Sequence, residues 1–527
     1  MQTVTQAFKN ITTADVNEPE HNLKVSWLRN ENSSAEFAVV GTSLVGGLDF
    51  VQGENDVLTP TDLFEFMDES DYAMDIALER YVVEPLGGIL YAKADVVLDN
   101  TAKRFSPDYN STIGTALLSL RPIKINLGYY VDNIAKLLPK FKGLLNSKPR
   151  GDKLSNVVRL EAFDYMHFLD NKVLQSAIYE NKRIDEVIED ILIDSGFSAT
   201  QYQLDEGLNV IGFAWFEKNQ TAGKRIRELC ESEEATFYQD ENGVLRLENR
   251  RIYIEPSYSS VVHTVDASDI IRWSESDDRR YNRCTVKAKP REVLSNRDVW
   301  AGYSVEPTPA GGEVEFFVTF EDPVTTVITP VANIDYKANT AADGTGTDVT
   351  SFVTIAVDGL FTTSAKLVVT NSYGQDIYFV DTQGNSFMKL RGTPAVIQSE
   401  IIETYEDVDI RDSYGETSTL VIENDFIDDP SFAYYLARAL VRKYKSSVRR
   451  IKIEVPAIPH LQLKDLIEVE DPETNTYLNY RVVGITDQMR GAAYTQTLLL
   501  RESTPSESDS PAIVGTSTVD SADIVWI

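Results

Sequence analysis

The four histidines of this 527-residue chain, His21, His167, His263 and His460, are the first places to look for acid–base or metal chemistry. None has a second His or a Cys at metal-ligand spacing, and none lies in an HExxH pattern, so each reads as an ordinary core or surface residue. A serine nucleophile needs a Gly two places after it; around Ser43, in "GTSLVGG", Val45 stands there instead. "QTAGKR" has Gly223-Lys224 but no Gly five positions earlier and no Ser or Thr after the Lys, so it is not a phosphate loop. With 82 Asp+Glu, chance carboxylate pairs are certain, and none singles out a glycosidase site. Asp343 and Asp348 in "ADGTGTD" offer oxygens for Ca²⁺, but a plain Gly-rich turn explains them better. "DENG" at 240–243 has no twelve-residue loop with a closing Glu, and reads as a turn. The expectation is a chain with no catalytic, cofactor-binding or metal site.

The cationic side is equally spare. One basic helix face, Arg438, Arg442, Lys443, Lys445, Arg449 and Arg450, is the sole cluster on a chain of net charge −32. It suits an acidic face of a neighbouring subunit better than nucleic acid. A chain this acidic does not hold phosphates by neutralisation and does not adhere to anionic lipid. Its charge suits solubility, or a surface past which a polyanion slides without sticking. Cys230, on an apolar helix stripe, and Cys284, in a strand, form no CxxC pair and read as small core residues of a reducing cytosol. The first 20 residues carry no leader pattern, and no apolar run approaches 18 residues, so no membrane anchoring is expected.

The elements around these residues are mostly strands. A prior of about one domain per 150 residues gives roughly three to four. "LKVSWLRN" and "EFAVVGTSLVGG" are strand-like. Residues 51–79 hold nine acids and no bases and read as an acidic insertion or long loop. "ADVVLDNTAKRFSP" alternates like a strand, then turns a compact corner. In "RPIKINLGYYV", Ile123, Ile125, Leu127 and Tyr129 share one side. Next come two amphipathic helices. "RIDEVIEDILIDSGF" has Ile184, Val187, Ile188, Ile191 and Leu192 on one stripe and Gly196 as its stop; "TAGKRIRELCESEEA" follows. "TFYQDENGVLRLEN" reads as a hairpin on Asn242-Gly243, the preferred type I′ pair. Residues 302–395 are rich in Thr, Val, Gly and Asp, with turn signals about every ten residues, and suggest an antiparallel β-sandwich. A helix capped by Asp429, with Pro430 first, precedes three closing strands. The last 25 residues look like a flexible acidic tail with an apolar end at Ile524, Val525, Trp526 and Ile527.

The fold class expected is therefore mainly β (α+β). The domains read as a first β unit at 1–168, a small α/β unit at 169–258, a second β unit at 259–301 and 396–502, an inserted β-sandwich at 302–395, and a tail at 503–527.

"ADVVLDNTAKRFSP" followed by "RPIKINLGYY" resembles the N-terminal region of tail-hub and baseplate-hub proteins of tailed bacteriophages. The order agrees further along: "RIDEVIEDILIDSGF" and "GKRIRELCESEEATFYQDENGVLRL" resemble the hub's α/β domain. "RRYNRCTV" resembles re-entry into the second barrel, and "LKDLIEVEDPETNTYLNYRVVGITDQMRGAAYTQTLLLRE" its closing strands. The resemblance covers most of 20–502, excluding the acidic insertion and 302–395.

It implies two tube-like β-barrel domains per subunit and a homotrimer. Three subunits would present six similar barrels to a hexameric tail tube or distal tail protein, and a threefold face to a tip, spike or fibre. It implies no enzyme activity, DNA only in passage through an acidic lumen, and a place in the virion tail after synthesis in the host cytoplasm. Phe105, Tyr129 and Tyr130 at the rim of the first barrel, and Arg438, Arg442, Lys443 and Trp526, are the expected interface residues. A receptor-binding or adhesin-like tail-tip protein that grips sugar with 302–395 is the alternative; a wall hydrolase or a secretion hub on the same fold are the others.

Overall fold

The computed structural model describes residues 18–27, 66–81, 88–89, 91–106, 113, 116–152, 155–174, 177–216, 220–249, 260–277, 280–302, 307–380, 387–444 and 449–503. It is mainly β, and its largest element is one sheet of fourteen strands. The sheet follows from the alternation in the sequence. Ile123, Ile125, Leu127 and Tyr129 on Pro122–Val131 all point inward and are buried. Ile134–Leu145 returns against this strand, and Gly128 is needed there because a Cβ would strike the Lys136 carbonyl at 1.9 Å. Ala92–Asp99 buries Ala94, Val96 and Leu98 in the same core. Each of the Ile, Leu and Val side chains contributes about 1.5–3 kcal/mol on burial.

The corner after Ala92–Asp99 is built by side chains. Asn100 Oδ1 accepts from Phe105 N at 2.9 Å, and its Nδ2 donates to Ser106 Oγ at 2.9 Å. Lys103 takes φ 60°. The corner drops Phe105 into the core beside Trp27 and Tyr72. Arg104 donates twice, at 2.8 Å each, to the buried Glu69, whose Oε1 also accepts from Trp27 Nε1 at 2.9 Å.

The acidic stretch is not one loop. Residues 51–65 lie outside the described residues, while Ala73–Tyr81 is a strand at the centre of the large sheet. Its alternation, Ile76, Leu78 and Arg80 inward against Asp75 and Glu79, is masked in the sequence by the surrounding acids.

Ala73–Tyr81 pairs with Ala92–Asp99 on one side and with Tyr477–Arg490 on the other. Tyr477–Arg490 is fourteen residues long. Its C-terminal half, from Gly484, pairs with Ala73–Tyr81; its N-terminal part pairs with Leu466–Glu470, and nearly its whole length pairs with Ala493–Glu502. The sheet continues through Arg449–Pro456 to Arg272–Asp277. One strand is thus shared by both β units, each with its own core.

Between them lies the α/β unit. Helices Ile184–Asp194 and Ala222–Glu233 bury the apolar stripes read from the sequence, including Cys230, and Gly196 closes the first at φ 93°. The hairpin Thr236–Gln239 with Leu245–Glu248 forms, but not on a two-residue turn. Five residues connect its strands. Asp240 accepts from Asn242 N and Val244 N at 2.9 Å each, and only Gly243 takes positive φ, 85°. The Asp240 side chain outcompetes the I′ geometry expected of Asn-Gly.

The second β unit divides. Arg283–Ala288, Ile401–Glu406 and Thr419–Glu423 form a separate sheet beneath helix Pro430–Tyr444, with Cys284 in that core. Arg297–Gly302 pairs with Met388–Ile397, so the chain has entered the inserted unit before residue 302. That unit closes its core between the sheet of Glu313–Thr319, Ser364–Asn371 and Val353–Phe361 and the strands around Met388–Ile397. Among the described residues no helix is long and apolar enough to cross a membrane.

Candidate functional site: a buried ionic joint

Where the two β units and the α/β unit meet, inward positions carry charge. Arg80 follows Ile76 and Leu78 on the inner face of Ala73–Tyr81; Asp487 lies between Ile485 and Met489 on Tyr477–Arg490. Lys140 arrives from the first β unit and Glu241 from the hairpin loop of the α/β unit. All four are buried. Arg80 Nη1 donates to Glu241 Oε1, and its Nη2 lies 3.8 Å from Asp487 Oδ2. Lys140 Nζ lies 3.7 Å from Asp487 Oδ1, with no hydrogen-bond partner among the described residues. Tyr494 Oη and Gln496 Nε2 both donate to Asp487 Oδ1 at 2.7 Å, and Gln462 Nε2 donates to Glu241 Oε2 at 3.0 Å. Tyr129 Oη donates to the Ala457 carbonyl at 2.8 Å, and Gln496 Oε1 accepts from Ile458 N at 2.8 Å.

Two cations against two carboxylates balance the cluster. Burial pushes Asp487 up, but Lys140, Arg80 and its two hydrogen-bond donors more than offset it, and the carboxyl ends below its ordinary range. Glu241 is likewise pushed up by burial and brought below its usual range, chiefly by Arg80. Lys140 moves down because burial outweighs the pull of Asp487. Nearby, burial pushes Asp465 up to about 6, though its carboxylate accepts from Gln462 N at 2.9 Å. The arrangement holds no nucleophile beside a base. What it does is fix orientation, because no partner leaves without exposing a bare buried charge.

Further polar links tie the units. Gln239 Nε2 donates to the Lys142 carbonyl at 2.6 Å, Lys464 pairs with Glu248 at 2.8 Å, and Asn209 Nδ2 donates to the Phe426 carbonyl at 2.9 Å. Arg291 joins the neck of the inserted unit to the rest: Nη1 donates to Asp322 at 3.0 Å and to the Ala395 carbonyl at 2.8 Å, and its guanidinium lies 5.4 Å from the Trp215 ring centre.

The residues expected at subunit contacts scatter. Phe105 and Tyr129 are each 1% exposed and belong to the core, which corrects their placement at a rim. The corner buries Phe105, and Tyr129 is held inside the chain by Ala457 and the Tyr494 ring. Tyr130, the next residue on the strand, faces outward and is partly exposed beside Glu20. Arg438 and Arg442 are partly exposed, whereas Lys443 is spent inside the chain on Glu234 at 2.6 Å. Trp526 lies outside the described residues, as do residues 41–45 with Ser43. The Asp343 and Asp348 carboxylates cap their own turns, accepting from Thr345 N at 3.0 Å and Thr350 N at 2.9 Å.

The ends of the large sheet differ. At one end the two-residue strand Met67–Asp68 pairs with Lys24 and Val25 of Pro19–Val25, and the rest of that edge is blunted: Pro19 has no N–H, His21 N donates to Glu20 Oε1 at 2.8 Å, and Leu23 N donates to Ser70 Oγ at 2.9 Å. Arg272–Asp277 pairs with one strand only among the described residues.

No protein-family model matches the chain, and no curated protein matches it. Solved structures do, and they include phage tail and baseplate proteins and a type VI secretion component. The 43 kDa tail protein of prophage MuSo2 from Shewanella oneidensis is 9% identical, at a TM-score of 0.43 over 84% of this chain and 95% of that one. A tail protein from Neisseria meningitidis MC58 is 10% identical, at 0.45 over 83% and 93%. The prophage tail protein gp18 from Listeria monocytogenes EGD-e is 10% identical, at 0.36 over 82% and 91%.

Proposed function

We propose that this chain is a structural hub at the distal end of a phage tail, working as a homotrimeric ring between the tail tube and the tip or spike. The observation that carries the reading is the shared strand Tyr477–Arg490, which fuses two β units into one sheet and is locked by the buried joint. A subunit that must offer two β units in fixed relation to a tube needs such a coupling. Independent domains on a linker would not hold the spacing.

Three subunits then carry six β units. Contacts between them call for interfaces of roughly 2,000 Å² or more, apolar at their centres. Tyr130, Arg438, Arg442 and the strand Arg272–Asp277, paired on one side only among the described residues, are the surfaces assigned to them. The net charge of −32 gives the ring a wall that repels DNA phosphate; at physiological salt the field decays over about 8 Å, so lumen-facing acids act and distant ones do not. Light scattering across a concentration series tests the reading. A mass near three times 59.1 kDa, with rings in electron microscopy, is expected. A chain that stays monomeric both alone and with its tail tube refutes it.

A further inference from the structure

The inserted unit turns one face of its three-stranded sheet outward. On that face the register sets Phe317 of Glu313–Thr319 opposite Lys366 of Ser364–Asn371, and Lys366 opposite Gly359 of Val353–Phe361. Phe317 is 74% exposed and Phe361 63%, while the other face of these strands packs the core with Val318, Ala365, Leu367 and Ile355. A bulge between Val357 and Gly359 re-aims Asp358, so that Asp358 and Glu315 both hold Lys366 Nζ at 2.8 Å. Gly359 leaves room above the sheet: a Cβ there would touch the Phe361 ring at 3.6 Å and Lys366 at 3.9 Å. The result is two exposed aromatic rings on the outer strands with a pinned ammonium–dicarboxylate group between them.

We infer that this face is a binding site for a neutral saccharide. A pyranose ring carries an apolar C–H side that lies on an aromatic ring and a rim of hydroxyls that donate to carboxylates and accept from ammonium. The face supplies both, side by side. Its charge selects the occupant. Lys366 is neutralised twice over, so the group carries a net −1 and disfavours an anionic sugar, a nucleic acid or an anionic lipid surface. A protein partner would seat its apolar centre on a patch depleted of charge, whereas here the charged group separates the two rings. The inference stands independently of the hub reading.

The test is affinity electrophoresis of the full chain through native gels containing dextran, mannan or galactan, against plain gel. Retardation by at least one polysaccharide is expected, at least tenfold weaker for Phe317→Ala/Phe361→Ala and unchanged for Phe352→Ala, an exposed Phe elsewhere in the same unit. No retardation in any of the three gels, or equal retardation of the double variant, overturns the inference. So does a double variant whose mass in light scattering falls below that of the parent, because the face would then be a contact between copies. The hub reading is judged by the mass of the parent protein, so the two can fail separately.

Discussion

Asp487→Asn puts the joint to its hardest test. The substitution preserves shape and leaves an oxygen for Tyr494 or Gln496, but removes the charge facing Lys140 at 3.7 Å and Arg80 at 3.8 Å. At 3.7 Å and an effective dielectric near 20, one such attraction amounts to about 4.5 kcal/mol before desolvation is subtracted. Taking one partner from a buried pair costs about 3–5 kcal/mol, since the other charge stays behind. Lys140 already sits below its ordinary pKa through burial and sheds its proton more readily once Asp487 is neutral, which places the cost near 3 kcal/mol, about 150-fold in an opening equilibrium. Amide hydrogen exchange followed by mass spectrometry reads that opening in Ala73–Tyr81 and in its partner strand from Gly484 onward. Adding Lys140→Met restores the balance of charge and is expected to recover at least half of the lost protection. Exchange within threefold of the parent protein in the single variant, or no recovery in the double, refutes the electrostatic account of the joint.

Glu69→Gln removes the charge that Arg104 grips twice and is expected to destabilise the first β unit by about 2–3 kcal/mol in urea unfolding, with Tyr129 and the joint unaffected. Asp465 has a folded pKa near 6, above its ordinary 3.8, so it ionises at a cost in the folded state; its contribution is unimpaired below about pH 4 and is lost as pH rises through 6. Asp465→Asn should therefore raise the thermal midpoint at pH 8 and leave it unchanged at pH 4; an equal shift at both values contradicts the assignment. Burial pushes the Cys230 thiol well up and Cys284 to about 12, so neither should react with a thiol reagent in the native protein, and both should react in guanidinium.

Strong periodicity made much of this architecture legible. The alternation in 122–131 and the helical stripe at 184–192 are local signals, and the structure obeys them because each sets a single buried face. Ala73–Tyr81 escaped because its inward Ile76, Leu78 and Arg80 lie in an acidic stretch, and a composition reading averages over the period. The joint was invisible for a related reason: its members lie at positions 80, 140, 241 and 487, and nothing local joins them. A signal was nonetheless present. Arg80, Asp487 and Gln496 each occupy the inward phase of an otherwise apolar alternation, where a polar side chain needs a partner. The burial of Tyr129 is legible, because alternation alone puts it on the inner face, whereas that of Phe105 is set by the Asn100 corner, which no periodicity encodes.

The shared strand also sets the order of events at the ribosome. Ala73–Tyr81 is made early, yet its partner from Gly484 onward follows about 400 residues later. At 5–20 residues per second, roughly 20–80 s pass with that edge of the first β unit uncovered. During this interval the nascent chain presents an unpaired strand next to those of its siblings on the same messenger, where an edge invites pairing. The acids Asp75 and Glu79, on the outward phase of that strand, place like charges along the exposed edge and repel a second copy until the C-terminus arrives.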